Sequence, residues 1–384
     1  MLHTVALTLI PGLTLSQILD ILRHCPDVEH VIMHPEEALR YANESVRVPC
    51  VRAITNGRGQ ALRRAEEELL FCRQHAIKVL PITSPDYPQR LVDCPDAPAV
   101  LYYRGGANLN ARHIVAIVGT RKISEYGKQV CLRLTERFAQ LLPDIVIVSG
   151  LAYGVDIHAH RGCLDKNIAT IGVVAHGLDQ IYPATHRNDA KRMVAQGGIL
   201  TEYVRGTRPL QGNFLRRNRI VAGMADATIV VESAEHGGSL VTARIAASYN
   251  REVFAVPGRI NDATSIGCNR LIRNTAAMPL LEADDLVHEL GWWPDTTVYR
   301  SQVQQLDLFP TAAGTQCHDA SLYAHLSVEV QNIASVLAGT DGLNASAIAQ
   351  QTGLDLTAVN TTLFDMEMSD LVKILPGGFY IMKR

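Results

Sequence analysis

The 384-residue chain has no surplus of either charge: 36 Lys and Arg stand against 38 Asp and Glu, for a formal net charge of −2. A balanced chain makes no strong global field, so any attraction to nucleic acid has to come from a local patch. No apolar run is long enough to span a bilayer, and the apolar start Met1 to Pro11 carries no basic leader. The expectation is a cytoplasmic protein. The eight cysteines (Cys25, Cys50, Cys72, Cys94, Cys131, Cys163, Cys268, Cys317) include no Cys-x-x-Cys pair. That spacing excludes a zinc knuckle and a disulfide framework and fits reduced thiols. His158-Ala159-His160 is not read as a metal site, because residues two apart do not face each other on a helix. What the chain does have is a hydrophobic fraction of 47% with 19% charged residues, the balance of a soluble globular protein with room for two or three domains.

Residues 1–75 read as a small helical unit of helix-hairpin-helix or sterile-alpha-motif type. Pro11-Gly12 makes a turn, Thr14 and Ser16 are caps for a helix over 17–23, and 57–74 has an amphipathic helical pattern. Its turn amides suit a DNA phosphate, and a plain packing module fits the pattern as well. A proline-rich connector with an extended path follows, through Pro81, Pro88 and Pro98.

From residue 114 the pattern changes. Apolar runs at 114–118, 145–148, 170–174, 198–203, 227–231 and 253–256 alternate with helical spacings at 124–142, 155–166 and 186–196 and with helices beginning near Phe214 and Ser239. Unbroken apolar strands, each followed by a helix, predict a mostly parallel sheet covered on both faces. The fold class expected for 76–290 is therefore α/β, a Rossmann-like doubly wound domain.

Such sheets bind ligands where strands end and helices begin. Small residues stand at these points: Gly119-Thr120-Arg121, Ser149-Gly150 with Gly154, Gly177, and Gly237-Gly238-Ser239. Beside them runs Asn213-Phe214-Leu215-Arg216-Arg217-Asn218-Arg219, three arginines in about one helical turn. A solvated helix start explains such a cluster, and so does an anion site. Phe214 is either a stacking platform or a core staple beneath its helix, with Tyr153 and Tyr182 as further stacking candidates. A dinucleotide enzyme does not fit, because the first turn lacks the second glycine of Gly-x-Gly-x-x-Gly and the second strand does not end in an acid. No Gly-x-x-x-x-Gly-Lys-Ser/Thr loop is present either. The enzyme alternative that stays open is a Rossmann-type nucleotide-processing hydrolase, with Glu232 at its centre and Asp156 or Asp179 as second carboxylate.

The series Ile117-Val118-Gly119-Thr120-Arg121, Val148 to Asp156, Gly177-Leu178-Asp179 with Tyr182-Pro183, Phe214 to Gly223, Glu232-Ser233 and Gly238 to Arg244 resembles the DNA-processing protein A (DprA/Smf) family. The match continues through 253–258 and 267–272 and covers roughly Leu80 to Leu286. The resemblance implies a non-catalytic protein that binds single-stranded DNA, protects incoming DNA in natural transformation and loads RecA recombinase. It also implies a homodimer through the Rossmann-like domain, with no cofactor and no metal. By the same resemblance the DNA pocket uses Arg121 of the first glycine turn, Gly150 and Gly154 of the second, and Arg217-Asn218-Arg219. The expected DNA-binding set is completed by Gly119, Thr120, Ser149, Phe214, Arg216, Gly238 and Ser239, with Arg217 and Arg219 as phosphate clamps. Departures from the family pattern are Leu215 in place of a frequent proline, Met224-Ala225 in place of Leu-Ser, and His176 in place of a smaller residue. His176 would narrow the pocket or contact a base.

Residues 291–321 read as a linker and 322–384 as a winged helix: helices at 328–337, 344–352 and 356–368, then a hairpin around Pro376-Gly377-Gly378. The third helix region carries Asp365, Glu367 and Asp370 and no Lys or Arg, so phosphate repulsion opposes major-groove docking. A protein-interaction or dimer-supporting role is favoured over a DNA contact through Lys373, Lys383 and Arg384.

Overall fold

The continuous apolar runs become the centre of one nine-stranded sheet in the computed structural model, which describes residues 1–292, 327–338, 340, 342–369, 371–375 and 379–382. Its strands are β1 (Lys78–Pro81), β2 (Val100–Gly105), β3 (Ile114–Val118), β4 (Val146–Ser149), β5 (Ala169–Val173), β6 (Gly198–Thr201), β7 (Ala227–Val230), β8 (Glu252–Ala255) and β9 (Met278–Pro279). They lie in the order β1-β2-β6-β5-β4-β3-β7-β8-β9. From β6 to β9 all neighbours are parallel, while β2 runs antiparallel to β6 and β1 antiparallel to β2. All five residues of β3 are buried, as a strand covered on both faces requires. The order reverses between β3 and β7, which makes their carboxyl ends the switch point where sheets of this kind open a crevice. This is the doubly wound, Rossmann-like architecture expected from the sequence.

Helices cover both faces. The amino-terminal group is α1 (Leu2–Thr8), α2 (Leu15–His24), α3 (Val28–Met33), α4 (Pro35–Ala38) and the long α5 (Glu44–Gln74). After it come α6 (Gln89–Val92), α7 (Glu125–Leu141), α8 (Val155–Asp165), α9 (Arg187–Gln196), α10 (Gln211–Met224), α11 (Gly238–Ser248), α12 (Ile266–Arg273) and α13 (Ala283–Glu289). Ile114, Ala116 and Val118 of β3 face a core shared with Ile220 and Val221 of α10 and Ala243 of α11. The alternate residues Val115 and Ile117 face Val130 and Leu134 of α7 and Ala159 of α8. Period-two alternation thus feeds two cores, one per face.

Residues 1–296 group as one compact unit. Within it the amino-terminal helices share a core with Val100 and Tyr102 of β2, and buried Glu68 of α5 accepts the Arg205 backbone N–H at 3.0 and 3.1 Å. Helix α5 starts at Glu44, earlier than the 57–74 pattern suggests, with Pro49 inside it. Proline removes one helical hydrogen bond. Burial of Cys50 and Ile54 in the amino-terminal core offsets that loss, an effect of packing that local pattern does not carry. Thr14 and Gln17 close α2 with a reciprocal capping box.

The second unit falls within 297–384. It holds α14 (Val328–Leu337), α15 (Ala345–Thr352) and α16 (Leu356–Met368), with strands β10 (Leu343–Asn344), β11 (Val372–Leu375) and β12 (Phe379–Met382) in the antiparallel order β10-β12-β11. Ile333, Leu337, Ile348, Val359 and Leu363 fill its core. Most of the 291–321 linker, the Pro376-Gly377-Gly378 turn, Asp370, Lys383 and Arg384 lie outside the described residues.

Candidate nucleic-acid interface

The turn after β3 carries Arg121 out into solvent, held by local contacts. The Thr120 backbone N–H donates to the Glu232 carbonyl at 2.8 Å, and its carbonyl accepts the Val155 N–H at 3.1 Å. The Thr120 hydroxyl accepts the Lys122 N–H at 3.1 Å. Gly119 lies against Val155 and the Glu232 carbonyl. With its stem fixed in this way, the Arg121 guanidinium sits 5.3 Å from the centre of the Phe214 ring, within cation–π range. Phe214 is half-buried near the start of α10, and the Tyr182 ring centre is 5.9 Å from it. Tyr182 is 48% exposed and Tyr153 49%, and the Tyr153 hydroxyl pairs with that of Thr185 at 3.1 Å. One cation and two aromatic rings, Arg121, Phe214 and Tyr182, are therefore gathered at the strand ends, and Tyr153 is exposed on the turn after β4. Phe214 is half-buried and lies outside the buried core clusters.

His176 is fully buried and does not reach this surface. Its Nδ1 lies 2.8 Å from the Gly177 carbonyl and its Nε2 accepts the Tyr182 backbone N–H at 3.2 Å. The imidazole therefore closes the loop that presents Tyr182, and burial lowers its pKa, favouring the neutral ring these contacts need.

The arginine cluster divides. Arg216 is exposed, with 54% of its side chain accessible and its Nε 3.7 Å from Glu202. Arg217 and Arg219, expected as phosphate clamps, are placed differently: each side chain is only 6% exposed. Arg217 donates to the Val173 carbonyl at 2.9 Å and lies 4.0 Å from Asp156, which is itself buried. Arg219 holds Glu202 at 2.5 Å and donates to the Asp96 carbonyl. The reason is position along α10: residues 219–224 are all buried and Arg217 reaches inward to Val173 and Asp156, while the first turns, 211–216, are half-buried or exposed. Asn218 is half-buried and has no side-chain hydrogen bond among the described residues.

The second glycine turn is shaped by this buried layer. A Cβ on Gly150 would collide with the Arg217 guanidinium and with Asp156. Gly154 has φ +81° and lies under the Thr120 carbonyl, so both its conformation and its space exclude a side chain. Ser149 donates its hydroxyl to the Ile117 carbonyl at 2.5 Å, inside the core. Ser239 is buried and donates to Ser233 at 2.9 Å, whereas Gly238 is exposed with open space around it. The small residues at the strand ends thus serve close packing first. His158 and His160 also point apart, to the Gly154 carbonyl and to Thr170 with Gly150 respectively.

Glu232 occupies the β3/β7 switch point but is 2% exposed. Its carboxylate accepts the Ser124 N–H at 2.8 Å, the Ser124 hydroxyl at 2.5 Å and the Thr264 hydroxyl at 3.2 Å. Ser124 in turn caps α7. Sequence reasoning passed over Glu202, which neutralises Arg219 from the end of β6. The available signal was an acid at a strand end just before an arginine-rich helix.

A family model described as DNA recombination-mediator protein A matches residues 78–291. Protein Smf of Synechocystis is 41% identical over 218 residues, 55% of this chain and 53% of that protein, so the chain spans about half of that relative. The X-ray structure of DNA processing protein A from Streptococcus pneumoniae superimposes with a TM-score of 0.64 at 30% identity, over 75% of this chain and 98% of that one. DNA processing protein A from Helicobacter pylori, whose structure concerns its single-stranded DNA binding mode, gives a TM-score of 0.51 at 31% identity, over 57% of this chain and 97% of that one. The sheet, its switch point and the glycine turns lie inside the matched span, and the chain belongs to the DNA recombination-mediator protein A family.

Proposed function

We propose that this chain binds single-stranded DNA across the carboxyl ends of β3, β4 and β5, without catalysis. The observation that carries the reading is the exposed Arg121 guanidinium set 5.3 Å over Phe214, with Tyr182 against the same ring. Single strands are held by cations that track the phosphates and by aromatic faces on which bases stack, at about 1–3 kcal/mol per base. In this reading Arg121 and Arg216 take phosphates, and Phe214, Tyr182 and Tyr153 take bases. Gly119, Thr120 and Gly238 line the approach, and Asn218 is a polar contact at its edge. Ser149, Gly150, Gly154, Ser239, Arg217 and Arg219 act from beneath, by holding the loops. The Helicobacter relative, described for its single-stranded DNA binding, supports the same ligand.

The contacts of Glu232 weigh against the hydrolase reading. An acid or base needs a path to substrate, and this carboxylate is enclosed by three donors. Asp156 is buried against Arg217, and Asp179 accepts the Gly206 N–H at 3.1 Å. Protection of DNA, RecA loading and a homodimer through the Rossmann-like domain follow as proposals from membership in a recombination-mediator family. We read the carboxyl-terminal unit as a winged helix that serves protein interaction. Asp365 and Glu367 lie exposed on α16 beside Phe364, 61% exposed, and Met368, 74% exposed. Acids would repel a phosphate backbone, while an apolar and acidic face suits a protein.

Mobility-shift titration of single-stranded oligonucleotides at two salt concentrations tests the site. Arg121→Ala is expected to weaken binding and to flatten its salt dependence, because one fewer phosphate is neutralised. Unchanged affinity and slope in both Arg121→Ala and Phe214→Ala would overturn the assignment.

A further inference from the structure

The loop after β5 has a second side. Residues Leu178 to Ile181, immediately before Tyr182, line a solvent-open cavity of about 460 Å³, within the range of small-ligand sites. Its other walls are β2, β6 and one face of α9, where Arg187, Ala190, Lys191 and Val194 recur at helical spacing. Three cations from two elements converge on it: Arg104 of β2 and Arg187 and Lys191 of α9. None of the three has an ion pair or a side-chain hydrogen bond among the described residues. The one carboxylate in the wall, Asp179, already accepts the Gly206 N–H at 3.1 Å. The rest of the lining is mainly apolar: Leu178, Ile181, Val194 and Ile199.

Unpaired cations beside an apolar wall suit a ligand with a phosphate at one end and a flat ring at the other. We propose that this cavity is a nucleotide site, with phosphate on Arg104, Arg187 and Lys191 and the base against Ile181, Val194 and Ile199. Its source is a nucleotide of the bound single strand, since Ile181 lines the cavity and the next residue, Tyr182, packs on Phe214. This assignment of source rests on the DNA-binding reading above. A strand held at Arg121 and Phe214 then crosses the loop and places a later base in the cavity. Site length is thereby extended without a second binding domain.

The test uses the full chain, with a short oligonucleotide of about 6 nucleotides, a long one of about 20, within and beyond the span of a single-stranded site, and deoxythymidine monophosphate as separate probes. The variant Arg187→Ala/Lys191→Ala removes two exposed cations from α9, and Arg104→Ala repeats the test from β2 in case the double variant fails to fold. The expected result is unchanged binding of the short strand, about tenfold weaker binding of the long strand, and a salt slope reduced by about 0.7, the share of one phosphate. Loss of mononucleotide binding with the long strand unaffected would overturn the strand as source and identify a free nucleotide instead. No change with any probe overturns the site. Arg121→Ala in parallel separates the two readings: if no strand binds even the wild type, the DNA reading fails while the mononucleotide arm still decides the cavity.

Discussion

The arginines of α10 are one residue type doing opposite work, exposed at 216 and buried at 217 and 219. Arg216, at the end of the solvated first turns, is open to solvent; Arg217 and Arg219 are bonded to Val173, Asp156, Glu202 and Asp96. An exposed cation costs little and keeps its donors free for a ligand. A buried one must be paired, and once paired it is part of the fold. Charge density in a sequence therefore reports a patch only after the burial of each residue is known.

Removing one partner of the buried layer is the largest way to break this contrast. Arg219→Ala leaves Glu202 charged in a nearly closed site, where burial already raises its pKa, and is expected to cost about 3–5 kcal/mol in chemical denaturation. A loss below about 1 kcal/mol, the range of surface pairs, would show that Arg219 behaves as a surface residue.

The same layer predicts a pH dependence. His160 is fully buried, and burial is the main cause that lowers its pKa from 6.5 to about 4, with Arg217 adding to it and the Gly150 carbonyl opposing. The folded pKa lies below the unfolded one, so the neutral ring contributes fully above about pH 6.5. That contribution, on the order of 3 kcal/mol, is lost as pH falls from 6.5 toward 4. Denaturation midpoints of wild type and His160→Gln across that window check it: the wild-type decline should be steeper, and parallel curves would contradict the assignment.

At the accessible residues the expected effects fall on binding. Phe214→Ala should weaken single-stranded DNA by about 1–3 kcal/mol with folding stability little changed, read by titration and thermal melting. Loss of stability instead would make Phe214 a core residue. Arg216→Ala sharpens the contrast with the smallest effect, a stability change within about 0.5 kcal/mol and a modestly reduced salt slope, because Arg219 still holds Glu202.

Much of the fold was legible. Each apolar run became a strand, and helices expected at 124–142 and 155–166 appear as Glu125–Leu141 and Val155–Asp165. Such runs read well because a doubly covered parallel strand needs apolar side chains on both faces. Less legible was α5, where Pro49 stops a local reading and long-range packing overrides it. At the candidate site, Arg121 and Phe214 were legible as residue types at a strand end and a helix start. Their mutual approach across 93 positions was not, since it depends on where α10 is laid against the sheet.

By itself the amino-acid sequence determined the parallel sheet, the positions of its glycine turns and the membership of the family, because these are written in local composition and motif order. Tertiary structure alone decided which arginines are free, why Gly150 has to be glycine and which cations meet around the cavity beside α9. Those answers depend on distances between residues far apart in the chain, and only packing sets such distances.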